Sequence, residues 1–105
     1  MKITLTFETT EMSMEFRREL AKITDRNKLL SELAEDEDWE VRYAVAGNPN
    51  ISAKTLSELA KDNIWNVRCA VARNSNTSTE TLSELAKDNH EDIATSAKNN
   101  PNFKK

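Results

Sequence analysis

The sequence predicts an all-α fold: a short superhelix of three two-helix repeats, each 26 residues long, preceded by a helix cap and one N-terminal β-strand. Three observations carry this. The phrase "LSELAEDEDWEVRYAVAGNPN" (30–50) returns as "LSELAKDNIWNVRCAVARNSN" (56–76) and as "LSELAKDNHEDIATSAKNNPN" (82–102), with no insertion or deletion between copies. Apolar residues hold that register: Leu30, Leu56 and Leu82; Leu33, Leu59 and Leu85; Val41, Val67 and Ile93. One Gly and two Pro in 105 residues leave little material for hairpins or glycine-rich phosphate loops.

The elements follow in chain order. "KITLTFE" alternates Ile3, Leu5 and Phe7 against polar neighbours, a strand pattern. No second strand is evident, so its backbone groups lack a partner within the chain. Two readings stay open: pairing between chains through Ile3, Leu5 and Phe7, which would give a homodimer or a strand added to a partner, or an extended segment lying on the first helices. Residues 11–23 place Met12, Phe16, Leu20 and Ile23 on one helical face, a cap over the first repeat. The chain thus divides into a strand and capping helix (1–24), repeats at 25–50, 51–76 and 77–102, and a tail (103–105).

Each repeat holds two helical segments. The first is clearest in residues 77–88, where Thr77 and Glu80 have capping-box spacing ahead of Leu82, Leu85 and Ala86. Ser52 stands near the same end in the second copy, but Lys54 replaces the Glu, which predicts a weaker cap. Asp25 is the N-cap candidate of the first copy. The second segment, residues 38–49 in the first copy, reads as the shorter helix. Asp38 can start it, and Asn48 before Pro49 stops it, because a residue preceding proline avoids the α region. Its stripe of Val41, Ala44 and Val45 is small enough to lie close to the first helix. A lone pair cannot bury both stripes; stacked neighbours can. In the third copy Ala94, Ser96 and Lys98 replace Arg, Ala and Ala, a polar end on which Phe103 can fold back.

The segments "LxxLAxD" and "W-VR-AVA-NPN" resemble the variant leucine-rich repeat, a relative of the HEAT and armadillo-like α-superhelices, over about residues 25–102. The resemblance implies a right-handed stack of alternating long and short helices, some short ones of 3₁₀ type. It also implies extended surfaces for binding macromolecules, and no enzyme. Some members carry a cysteine-rich iron–sulfur segment; the single cysteine here, Cys69, removes that option.

No reactive constellation stands out. His90, the one histidine, reads as a surface residue beside Asp88, Glu91 and Asp92. Cys69 has no histidine to activate it and reads as a structural thiol. No metal, cofactor or catalytic residues are assigned. Arg42 and Arg68 occupy matching positions. They can form an anion-binding ladder, or bridge to a carboxylate or helix-end carbonyl of the neighbouring repeat; two arginines without a third favour the bridge.

The net charge of −3 disfavours sequence-independent nucleic-acid binding. No apolar run is long enough to span a membrane. With neither a signal-peptide pattern nor a cysteine pair, the sequence points to the cytoplasm.

Partner-binding candidates come from positions that vary between copies. Trp39, Tyr43, Trp65 and Arg73 are of the types that anchor interfaces, although the tryptophans can equally seal joints between repeats. From Leu29 to Val41 there are six acidic residues and no basic one; Glu35, Asp36, Glu37, Asp38 and Glu40 concentrate that charge. The leading reading is a non-catalytic module that docks a protein, a basic one if the acidic patch takes part. The alternative is a stand-alone acidic inhibitor, of phage or mobile-element type, blocking a basic nucleic-acid-binding enzyme. Direct nucleic-acid binding through Arg42, Arg68 and Arg73 is a weaker third.

Overall fold

The computed structural model describes residues 13–104. The expected strand (Ile3, Leu5, Phe7) and Met12 lie outside the described residues, among which there is no strand. The described residues form seven α-helices: α1 Met14–Ile23, α2 Asn27–Leu33, α3 Trp39–Gly47, α4 Ala53–Leu59, α5 Trp65–Arg73, α6 Thr79–Leu85 and α7 Glu91–Asn99. Helices α1, α3, α5 and α7 lie side by side, each packed on the next, while α2, α4 and α6 each pack against the helix that follows. The assembly is elongated, 47 × 22 × 17 Å, and its packing fits a helical solenoid.

The core is the set of aligned positions. Leu30, Leu56, Leu82, Val41, Val67, Ile93, Val45, Val71 and Ala97 are all fully buried. Each large side chain among them gains about 1.5–3 kcal/mol by leaving water, and gains it only because the neighbouring helix pair covers it. Phe103 packs onto this core from the C-terminal side.

Several local expectations are corrected. The helix lengths are reversed: the "LSEL" helices run seven residues and the "W-VR-AVA" helices nine. The former are cut short by a turn of i→i+3 bonds, Glu35 N to Glu32 O and Asp36 N to Leu33 O, repeated after α4 and α6. All seven are α-helices, with no 3₁₀ segment among the described residues.

The N-cap of α6 is Ser78, which accepts from Thr81 N at 3.2 Å. Thr77 is instead fully buried and donates to Val71 O at 2.6 Å. Ser52 caps α4 with the same 3.2 Å geometry, so the missing Glu does not weaken that hydrogen bond. Arg26, not Asp25, takes the cap position of α2 without a side-chain bond, and Thr24 Oγ1 accepts from Arg26 N.

Helix α1 buries Arg17 and Ala21. Leu20 of the expected apolar face packs against the core, but Phe16 and Ile23 are 53% and 75% exposed. The aromatic and the β-branched residue therefore sit on the wrong side of the helix for the core, and an arginine occupies the seam.

Helix α3 ends at Asn48 as expected, but proline is not required for that ending. Asn48 before Pro49 is extended (φ −73°, ψ 127°), but Asn74 before Ser75 has nearly the same angles (φ −79°, ψ 131°). The asparagine side chain is the common cause, as the next contacts make plain.

Candidate binding groove

Two ladders hold the helices in register. Asn74 Nδ2 donates to Ala46 O (2.8 Å) and Asn48 O (3.0 Å), and its Oδ1 accepts from Asn76 N (2.8 Å). Asn100 repeats this on Ala72 and Asn74, and Asn48 does so on Ala21 and Thr24 of the α1 end. Each asparagine thus satisfies two helix-end carbonyls of the preceding pair while turning its own chain.

The second ladder is ionic. Arg42 Nε meets Asp62 at 2.7 Å and Arg68 Nε meets Asp88 at 2.8 Å. Arg42 Nη1 also donates to Asp36 O and Arg68 Nη1 to Asp62 O, both at 2.7 Å. The structural reading of these arginines holds, and a third member exists outside the repeated phrase: Arg17 Nε to Asp36 at 2.7 Å. Both side chains of that pair are over nine-tenths buried.

The Asp36 and Asp62 hydrogen bonds hold the Arg17 and Arg42 guanidiniums above their ordinary pKa against the opposing effect of burial. Burial pushes the Asp88 carboxyl up, but the Arg68 hydrogen bond, the His90 backbone N–H and the charges of Arg68 and His90 outweigh it, so its pKa is lowered.

Arg17, Arg42 and Arg68 are spent on aspartates in the turns after α2, α4 and α6, and on another face α1, α3, α5 and the start of α7 line an open groove of about 990 Å³. Ala44, Gly47, Cys69 and Ala70 are its small lining residues, and Trp39, Glu40, Tyr43, Trp65 and Arg73 line it too. Trp39 is 36% exposed, Tyr43 47% and Trp65 44%. The rings are held in place: Trp39 meets Tyr43 edge-on (centroids 6.1 Å), and Trp65 stacks on His90 (4.5 Å, 19°). His90 is therefore half-buried rather than a plain surface histidine, and its Nδ1 has no hydrogen-bond partner among the described residues. The stack joins α5 to the start of α7, so Trp65 both seals a joint and faces the groove. Cys69 is buried.

The structure brings together Trp39, Tyr43, Trp65, Arg73 and Glu40 along this groove. Glu35, Asp36, Glu37 and Asp38 do not line it. The acidic run is also largely internally balanced. Asp36 belongs to the Arg17 pair, Asp38 reaches Arg17 Nη2 at 3.4 Å, and Glu40 meets Arg18 at 2.7 Å. Glu35 and Glu37 are exposed.

Sequence reasoning missed Arg17 and Arg18, whose carboxylate partners lie 19 and 22 residues away, and the groove-lining Lys22, whereas Asn66 and Asp92 belong to the positions that vary between copies. Among the described residues, no group of three or more His, Cys, Asp and Glu side chains can hold a metal, and no helix is long and apolar enough to cross a membrane.

Residues 65–90 match the family model of the leucine rich repeat variant. The matched span covers α5, the following turn and α6. Searches of curated proteins and of solved structures gave no match to the chain.

Proposed function

We propose that the chain is a non-catalytic protein-interaction module. In this reading three 26-residue repeats stack as a right-handed solenoid, and a partner docks along the groove of Trp39, Tyr43, Trp65 and Arg73. The observation that carries it is the gathering of three exposed aromatic residues on one open face, Trp39 and Tyr43 braced on each other and Trp65 on His90. Isolated exposed aromatics need no explanation, but a contiguous braced set is what interface hot spots use. The match of residues 65–90 to a repeat family supports the same reading.

The acidic-inhibitor reading has less behind it. Three of the six carboxylates at 32–40, those of Asp36, Asp38 and Glu40, are already matched by Arg17 and Arg18, which weakens the long-range field such an inhibitor needs. The test is capture of partners from the host by the wild-type chain, Trp39→Ala/Trp65→Ala and Glu35→Lys/Glu37→Lys. Docking in the groove predicts that only the tryptophan variant loses the captured protein. Loss with the lysine variant alone would favour the inhibitor. Homodimerisation through Ile3, Leu5 and Phe7 is a separate proposal; light scattering on wild type and Leu5→Pro decides it, a dimer that the substitution splits being the supporting result.

A further inference from the structure

We infer that the groove takes an extended peptide segment which inserts an aromatic ring or a proline between Trp39 and Trp65 and sets a carboxylate side chain on Arg73 three or four residues further along. The inference rests on the docking groove proposed above and specifies its occupant.

Charge complementarity is the first argument. Among the arginines of α1, α3 and α5, Arg17, Arg18, Arg42 and Arg68 each hold a carboxylate. Arg73 does not. It is exposed, lines the groove, and donates only Nε, to Ser96 Oγ at 3.3 Å. A guanidinium with its Nη donors unspent at the edge of an apolar groove matches a carboxylate in bidentate geometry.

Spacing is the second. Arg73 lies eight residues beyond Trp65 on the same helix, roughly 12 Å along its axis. An extended chain advances about 3.1–3.4 Å per residue, so three or four residues cover that distance.

The third argument concerns the ligand's backbone. Asn66, half-buried beside Trp65 in the groove lining, makes no side-chain hydrogen bond within the described chain. Its amide can pair with an extended backbone, which has free N–H and C=O groups; a helical ligand satisfies those groups internally. Trp65, held against His90, loses little rotamer freedom on binding. A nucleic-acid strand fits less well: Glu40 and Asp92 place carboxylates along the same groove, and of its three cations Arg18 and Lys22 already hold Glu40 and Glu19, which leaves Arg73 alone for a phosphate.

The test is a positional-scanning library of acetylated, C-terminally amidated decapeptides presented to the intact chain, with affinities of selected peptides read by tryptophan fluorescence. The expected result is enrichment of Asp or Glu three or four positions from an aromatic residue or proline. Replacing that acid by its amide should weaken binding about tenfold or more. Arg73→Glu, at an exposed position and checked for an unchanged thermal midpoint, should reverse the preference to Lys or Arg. An acid preference unaffected by Arg73→Glu, an acid at helical spacing of seven or eight, or tighter binding of a dT20 oligonucleotide would overturn the inference. Peptides that bind, lose affinity with Trp65→Ala, yet show no acid preference would overturn it while leaving the docking groove standing. If neither peptides nor captured proteins depend on the groove, both readings fall.

Discussion

Asn74→Ala probes the asparagine ladder at its middle rung. The side chain is 7% exposed and makes three hydrogen bonds: two from Nδ2 to the carbonyls of Ala46 and Asn48, and one accepted by Oδ1 from Asn76 N. Each bond is worth about 1 kcal/mol net, and a buried partner left unmade costs a further 1–3 kcal/mol. Water can reach the Asn76 end of the rung, since Asn76 is exposed, but reaches the paired carbonyls poorly. The loss therefore comes to about 3–4 kcal/mol, a large part of the ~5–15 kcal/mol that holds a small domain. Urea unfolding at 25 °C, followed by the fluorescence of Trp39 and Trp65, measures it as a fall in midpoint with an unchanged slope. Asn74→Asp should be at least as damaging, because it sets an oxygen against two carbonyl oxygens while keeping the bond to Asn76. A loss below about 1 kcal/mol for both variants would refute the claim that this ladder ties the helices together.

Other outcomes follow from the same contacts. Leu56→Ala, at a fully buried core position, should cost about 2–5 kcal/mol in the same assay. Gly47→Ala should raise stability by up to about 0.5–1 kcal/mol, since an added Cβ meets nothing within 4 Å and alanine is the better helix residue. Asp88 should steepen acid unfolding. Its carboxyl has a lower pKa folded than unfolded, so its stabilisation is present above the unfolded value of about 3.9 and is lost as pH falls through the folded value. In Asp88→Asn that part of the stability–pH curve below about pH 4 should flatten.

Much of the architecture was legible because it depends on periodicity. The positions of Leu30, Leu56 and Leu82, and of Val41, Val67 and Ile93, follow from an unbroken register, and all six are fully buried. The bridging role of Arg42 and Arg68 was legible from their matching positions. Arg17 was not, because α1 lies outside the repeated phrase and its spacing to Arg42 is one residue short of the period. Periodicity also misjudged the exposed side of α1: an apolar stripe of Phe16 and Ile23 carries no mark saying that Arg17, backed by Asp36, occupies the seam instead. The asparagines were visible as the close of each unit, yet their targets were not, since side-chain bonds to carbonyls 24 to 28 residues away leave no local pattern. Among the groove residues, Tyr43 and Arg73 were legible from their variation between copies, and Trp39 and Trp65 as an aligned pair of the type that anchors interfaces. That the acidic run was partly spent on Arg17 and Arg18 was hidden by the same unrepeated helix.

Chemical-shift mapping of the ¹⁵N-labelled chain with a captured partner tests the central claim most directly. The docking account predicts that the indole N–H signals of Trp39 and Trp65, and the backbone signals of Tyr43, Asn66 and Arg73, move together as the partner is added. Shifts confined to Glu35 and Glu37, or to the exposed residues of α2, α4 and α6, with both indoles unmoved, would contradict it.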